Sequence, residues 1–426
     1  MTTSVPLSTL DAPLPCKKWT IAVSKHCLHR WLVLKTLRRF QKGLLQLELP
    51  GHERLLFGDL SLKQPTAHIH VRKPLPFFVH VAQFGGVGLG EAYTEGLWDT
   101  DDLRAVLDWF IINIQSDAEL RGSSQRFKAV GFLRLANRVH HLLRPNSVEI
   151  SQRNIQEHYD LGNDFYKLWL DPTMTYSSAI FARDYDTLEE AQQRKIARIV
   201  ELMDVPKGGS ALEIGCGWGA LSRAIASAGA GHVVGLTLSP SQRAHALAAI
   251  RGTELETKTD IRLQDYRDIR GSFDRIVSIE MIEAVGEQYW PVYFKAIHDR
   301  LVDGGHAVVQ AITICEKRYE AYRSSVDFIQ RYIFPGGMLP TPTIISEQAK
   351  QAGLVASCAE TFGQSYAKTL AIWRQRFLAH WPSIMPQGFD ERFRRMWEYY
   401  LAYCEAGFRN GTIDVGLYKL ERPART

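Results

Sequence analysis

The sequence predicts an α/β protein: a mostly parallel, doubly wound sheet joined to a smaller α+β region that precedes it. Three observations carry this. Short apolar runs alternate with segments of helical periodicity from about residue 210 onward. The first of those runs ends in the glycine-rich stretch EIGCGWG, Glu213 to Gly219. At 426 residues the chain is also too long for one typical core, so two domains are expected.

Ala211 and Leu212 lead into EIGCGWG, and the following ALSRAIASAG repeats its apolar residues at helical spacing, which reads as strand, turn and helix. Lacking side chains, Gly215, Gly217 and Gly219 let the backbone approach a ligand at a helix N-terminus. The order G-x-G-x-G is tighter than a dinucleotide fingerprint, and Glu213 stands inside it. A carboxylate beside such a turn suits a ligand with an amino group and a sulfonium, namely S-adenosylmethionine. Another nucleotide ligand or a purely structural turn is the alternative. Cys216 and Trp218 complete the loop, with Trp218 expected to pack it.

His232 to Leu238 reads as a second strand, and Ser239 caps a helix with Pro240 in its first turn. An acid gripping a ribose often ends this strand. Here Thr237, Leu238 and Ser239 stand there, with Gln242 one turn on, so neutral groups must do the gripping. Asp260 to Ile269 and Phe273 to Gly286 supply the third and fourth strands. Gln264, Asp265 and Tyr266 close the third, above the crevice of an open sheet. A helix from His298 to Gly305 is expected to precede a fifth strand, His306 to Ile314.

Charge is uneven. Residues 1–150 hold 19 Lys and Arg against 13 Asp and Glu, while the whole chain is only +5. The first 42 residues carry eight bases against Asp11 alone. Arg126 to Arg144 combines apolar residues near helical spacing with four arginines; it suits either an anionic bilayer or an ordinary packed helix with a solvated basic face. No recognition module accompanies the charge, so nucleic acid is not an expected partner. The polar stretch 145–154 reads as a linker between an N-terminal domain (1–144) and a catalytic domain (155–426). Six cysteines without C-x-x-C spacing point to a reducing cytosol and give no metal site. No run of 18 apolar residues occurs, so a soluble chain is predicted.

From about residue 150 the sequence resembles the cyclopropane-fatty-acid and mycolic acid cyclopropane synthases. The matching words are HYDLGNDFYKLWLDPTMTYSSAIF (His158 to Phe181), EIGCGWG, VVGLTLSPSQ, QDYRD (Gln264 to Asp268), EMIEAVG (Glu280 to Gly286), YIFPGGMLP (Tyr332 to Pro340) and FGQSYAKTL (Phe362 to Leu370). Upstream, GLGEAYTEGLWDTDDL (Gly88 to Leu103) looks like the N-terminal domain of the bacterial phospholipid enzymes. The resemblance implies a Rossmann-like class I methyltransferase domain. It implies methyl transfer from S-adenosylmethionine to an unsaturated acyl chain of a membrane phospholipid, by a cytoplasmic, peripheral, homodimeric enzyme at the inner membrane surface.

An alkene is a poor nucleophile, so the sulfonium methyl must be held against it with water excluded. A carbocation follows, which aromatic faces can stabilise and a base must deprotonate. The resemblance implies that this base is a bound bicarbonate. Its holders would be Glu283, the backbones of Ser178 and Ile312, Tyr366, and Gln310 where the family has histidine. It also places Tyr159 near the cation, and Tyr176, Ser177 and Tyr266 at the cofactor. Glutamine can donate one hydrogen bond to an anion but carries no charge. Glu280, three residues before Glu283, reads as a capping or pairing residue. The aromatic cluster Met396 to Tyr403 reads as core or as acyl-tunnel wall. Other readings are a methyltransferase for a small metabolite and a non-catalytic lipid-binding descendant; a methyl- or methylene-branched product is the alternative to a cyclopropane.

Overall fold

The computed structural model describes residues 25–116 and 161–424. The basic segment 126–144, the linker 145–154, His158 and Tyr159 lie outside the described residues.

The N-terminal region is α+β, as expected. It begins with helix α1 (Lys25–Leu37) and a four-stranded sheet of β1 (Leu44–Leu49), β2 (Glu53–Gly58), β3 (Ala67–Val71) and β4 (Trp98–Asp99), in the order β2-β1-β3-β4. Between β3 and β4 the run HIHVRKPLPFFVHV divides. Its first part pairs parallel to β1, and Pro74 then opens helix α2 (Pro74–Phe84), where a fixed φ and a missing N–H suit a first turn. Helices α3 (Gly86–Thr94) and α4 (Leu103–Ser116) complete the region.

After the single turn Asn163–Tyr166, the larger region starts with α5 (Leu188–Met203), entered through a capping box between Thr187 and Glu190. The alternation then runs β5 (Ser210–Ile214), α6 (Ala220–Ser227), β6 (His232–Thr237), α7 (Pro240–Ile250), β7 (Thr259–Leu263), β8 (Phe273–Ile279), α8 (Trp290–Arg300) and β9 (Leu301–Ile314). Beyond it come α9 (Glu316–Arg323), α10 (Phe328–Tyr332), α11 (Pro342–Gln351), β10 (Val355–Thr361), α12 (Gly363–Ala379), α13 (Glu391–Arg409) and β11 (Ile413–Glu421). The seven strands lie in the order β10-β11-β9-β8-β5-β6-β7. Strands β5 to β9 are parallel, and β11 runs antiparallel to both β9 and β10. Strand order reverses between β5 and β8, and a crevice opens beyond the carboxyl ends of strands at such a switch point.

Three sequence expectations need correction here. The fourth strand, expected over Phe273 to Gly286, ends at Ile279, and Ile282–Val285 forms a helical turn. The helix expected at His298 to Gly305 ends at Arg300. Leu301 is already extended and opposite Phe273, and the strand continues to Ile314 across the positive-φ Gly304. The third strand stops at Leu263 rather than Ile269.

One apolar core joins the two regions: Leu47, Ile69, Trp98 and Trp109 belong to the same buried cluster as Trp169, Trp373, Trp397 and Tyr399. Arg395 of α13 ties this seam. Its guanidinium donates to the carbonyls of Tyr93 (2.5 Å) and Trp98 (2.7 Å) and to Asp99 Oδ1 (2.7 Å), and it lies 4.0 Å over the Tyr93 ring. Tyr93 in turn donates to Glu398 at 3.0 Å. Among the described residues no helix is long and apolar enough to cross a membrane.

Candidate active site

A cavity of about 1060 Å³ opens at the switch point. One end is walled by Gly215, Gly217, Thr237, Gln242, Asp265 and Tyr266, and the other by Leu370, Tyr400, Tyr403 and Phe408; Glu280, Glu283 and Tyr366 stand on the same wall. The N-terminal region contributes Gly85, Val87, Ile111 and Ile114, which explains why its docking through Arg395 matters to the site.

The glycine turn sits as predicted, between β5 and α6. Gly217 has φ +51°, and a Cβ built on it would enter open space, the space a ligand against the loop would fill. Gly219 (φ +82°) caps α6 so tightly that a Cβ would lie 2.8 Å from Ala246. Trp218 packs the loop: its indole donates to Asn163 at 2.8 Å and its ring meets Tyr166. Cys216 is buried, and burial pushes its thiol well up.

Glu213 departs from expectation. It is buried, off the cavity wall, and accepts from Ser222 of α6; burial raises its carboxyl to about 7. This contact ties the strand to the helix. Ser177 departs likewise, since its hydroxyl accepts from the buried Lys195 at 2.7 Å, and it is not on the wall. Burial lowers Lys195 to about 8, against the opposing attraction of Glu280, Asp171 and Glu213.

The neutral groups ending the second strand form a linked set. Thr237 donates to Gln242 Oε1 at 2.7 Å, and Ser239 caps α7 through the Gln242 N–H. That leaves the Gln242 amide nitrogen as the donor at a ribose position. Leu238 and Gln264 line the same end. Asp265 is held by Arg267 through contacts of 2.8 and 2.7 Å, and the Tyr266 hydroxyl is buried without a partner. Tyr176 lines the cavity and shares a 2.8 Å hydrogen bond with Tyr400.

The residues expected to hold an anion do converge, but on a side chain. Ser178 donates its backbone N–H to Glu280 Oε1 at 2.8 Å, Gln310 donates its amide N–H to the same oxygen at 2.6 Å, and Tyr366 donates its hydroxyl to Oε2 at 2.6 Å. Glu283 is the neighbour: its Oε1 accepts from the Ile312 N–H at 2.5 Å, and its Oε2 is buried without a partner. Both residues are half-buried and line the cavity. Burial, then the charge of Glu280, raises Glu283 to about 8, so Glu283 is pushed toward its neutral form. Burial also raises Glu280, but Tyr366, the Ser178 N–H, Lys195 and Gln310 all pull it back toward the anion.

Glu280 has φ +49°, a left-handed conformation that costs a residue with a β-carbon about 1–2 kcal/mol. Sequence reading gave this residue only a capping or pairing role. A bicarbonate in the implied seat would need the donors that Glu280 already engages, and would place a third acid group beside two. With Glu280 in this position the residues present do not fit it. Also unforeseen were the roles of Ser222, Lys195 and Arg267.

The doubly wound sheet, the glycine turn at its switch point and the polar wall beside it define a class I, S-adenosylmethionine-dependent methyltransferase. The chain belongs to the mycolic acid cyclopropane synthetase family, which matches residues 146–417. It is 38% identical over 397 residues to the tuberculostearic acid methyltransferase UfaA1 of Mycobacterium tuberculosis, covering 89% of this chain and 88% of that one. It is 39% identical over 351 residues to the cyclopropane-fatty-acyl-phospholipid synthase of Escherichia coli K12, covering 82% and 86% respectively. Among solved structures, the mycolic acid cyclopropane synthase CmaA1 complexed with SAH and CTAB matches with a TM-score of 0.58 and 32% identity, over 63% of this chain and 98% of that one.

Proposed function

We propose that the protein transfers the methyl carbon of S-adenosylmethionine to the double bond of an unsaturated acyl chain carried by a membrane phospholipid, closing a cyclopropane. The observation that carries this is the single cavity. One end has the bare glycine backbone and neutral ribose-side donors, the other has apolar and aromatic walls, and a pair of half-buried carboxylates lines the same cavity. The cofactor supplies an electrophilic methyl group. Gly215 and Gly217 give its backbone cradle, with Gln242 toward the ribose and Tyr266 toward the base. Tyr366, Tyr400 and Phe408 face the acyl chain, where each desolvated ring stabilises a cation by about 1–2 kcal/mol. Tyr366 lies 4.4 Å from Phe408, stacked, so two rings present one electron-rich surface.

The phospholipid, and a peripheral position at the inner membrane surface, are supported by the basic excess of residues 1–150 and by similarity to the Escherichia coli synthase. A second reading has one specific observation in its favour, the 38% identity to a tuberculostearic acid methyltransferase. In that reading a hydride shift precedes proton loss and leaves a methylene branch or a methyl-branched alkene; a saturated methyl branch would need a separate hydride-donating reductant. Incubation with labelled S-adenosylmethionine and vesicles of unsaturated phospholipid tests both: acyl chains heavier by one labelled CH2 are expected. Label found only in water-soluble acceptors would overturn the proposal.

A further inference from the structure

We infer that Glu280 is the base that removes the proton from the transferred methyl group, its own carboxylate standing where the resemblance implied a dissociable bicarbonate. The assignment rests on the alkene-methylation reading above and deepens it. Four observations support it. Three donors from three separate parts of the chain, Ser178 N–H, Gln310 Nε2 and Tyr366 Oη, converge on this one carboxylate. The residue lies just past the end of β8, at the switch point, on the wall shared by the glycine turn and the aromatic pocket. It holds a left-handed backbone that a glycine would adopt without cost, so the side chain is kept against a local penalty. Finally, Glu283 beside it has an oxygen with no partner, which marks it as the member of the pair that can hold a proton. Carboxylate and bicarbonate present the same planar O–C–O to a set of donors. The tethered group needs no ligand binding and keeps a fixed position.

The steps balance as follows. The alkene π pair bonds one alkene carbon to the sulfonium methyl, the S–CH3 pair returns to sulfur, and the positive charge moves to the other alkene carbon. A C–H bond of the new methyl then breaks. Its proton passes to the Glu280 carboxylate and its electron pair closes the ring; after a hydride shift the same loss would form an exocyclic double bond. Glu280 returns the proton to water when the product leaves. Glu283 stays protonated throughout, so the cavity carries one acyl-side anion, and Gln310 can replace a histidine because no cationic partner is required.

The test compares the full-length wild type with Glu280→Gln and Glu280→Gly, using labelled S-adenosylmethionine and unsaturated phospholipid vesicles in carbon-dioxide-free buffer with and without bicarbonate. Wild-type turnover is expected to differ by less than about twofold between the buffers. Glu280→Gln should lose about a hundredfold or more, the usual contribution of a positioned base, and bicarbonate should not restore it because the amide fills the seat. Glu280→Gly should lose as much, regain about tenfold or more with bicarbonate, and without it yield some hydroxylated chains, as water captures a cation left without a base. Calorimetric affinity for S-adenosylhomocysteine should be unchanged in all three, which excludes misfolding. A wild type that needs added bicarbonate, or a Glu280→Gln variant within about tenfold of wild type, would overturn the assignment. A wild type that binds S-adenosylhomocysteine yet labels no acyl chain would instead overturn the function on which it rests.

Discussion

The hydroxyl of Tyr366 donates to Glu280 Oε2 at 2.6 Å, joining helix α12 to the end of strand β8 across 86 residues of sequence. The Tyr366 ring and the Glu280 carboxylate, the residues proposed to face the acyl chain and to take its proton, are thus held as one unit. Burial and the Glu280 charge raise the Tyr366 phenol well above its usual value, so it acts as a donor only.

Replacing Tyr366 by Phe keeps the ring and its stack on Phe408 but removes this donor. A hydrogen bond to a charged group is worth about 1.5–3 kcal/mol, so turnover should fall roughly ten- to a hundredfold. Affinity for S-adenosylmethionine should barely move, because the contact is away from the glycine turn. Calorimetry beside single-turnover rates checks both, and a variant with an unchanged rate would detach Tyr366 from the base.

Glu283 gives a prediction in pH. Its carboxyl is raised from 4.5 to about 8, so in that window the folded protein keeps a proton that the unfolded chain has released. Stability contributed by this group is therefore full at low pH and is lost as pH rises through that window; Glu213, raised to about 7, adds to the slope. Glu283→Gln has no proton to lose. Its melting temperature should fall less than that of wild type between about pH 5 and pH 8, and it should be the more stable protein at the upper end. Since Glu283 is neutral in action, Glu283→Gln should also keep activity within about tenfold, unlike Glu280→Gln. Parallel melting curves for variant and wild type would contradict this.

At the cofactor end, Gly217→Val should abolish binding of S-adenosylhomocysteine, because the new side chain enters the open space above the loop. The positive φ adds strain of about 1–2 kcal/mol, so the melting temperature is recorded alongside. A folded variant with normal affinity would remove the loop from the cofactor site.

Activity on vesicles should drop steeply between low and physiological salt, or when anionic lipid is left out, because attraction to the surface is screened over roughly 8–10 Å. Equal vesicle sedimentation at both salts would mean that the basic excess of residues 1–150 is a solvated face.

Much of the fold was legible because its signals are local. Glycines at the turn, a serine cap with proline behind it and alternating periodicities specify β5 to α7 within a few residues. The cofactor side followed: Thr237, Gln242, Gln264, Asp265 and Tyr266 all reach the cavity wall. What escaped depends on distant partners. Glu213 meets Ser222 rather than a ligand, and Ser177 meets a lysine on α5. Most of all, three of the donors matched to an external anion meet a side chain, Glu280, that the sequence did not single out as their recipient. Which of two acids three residues apart receives them is decided by a left-handed residue and by partners 30, 86 and 102 positions away, and no periodicity encodes that.

Proton NMR of phospholipid extracted after reaction with methyl-labelled S-adenosylmethionine reads directly where the methyl carbon ends. High-field cyclopropane methylene signals carrying the label are predicted. Labelled vinylidene or methyl-branch signals in their place would contradict ring closure and favour the branched product.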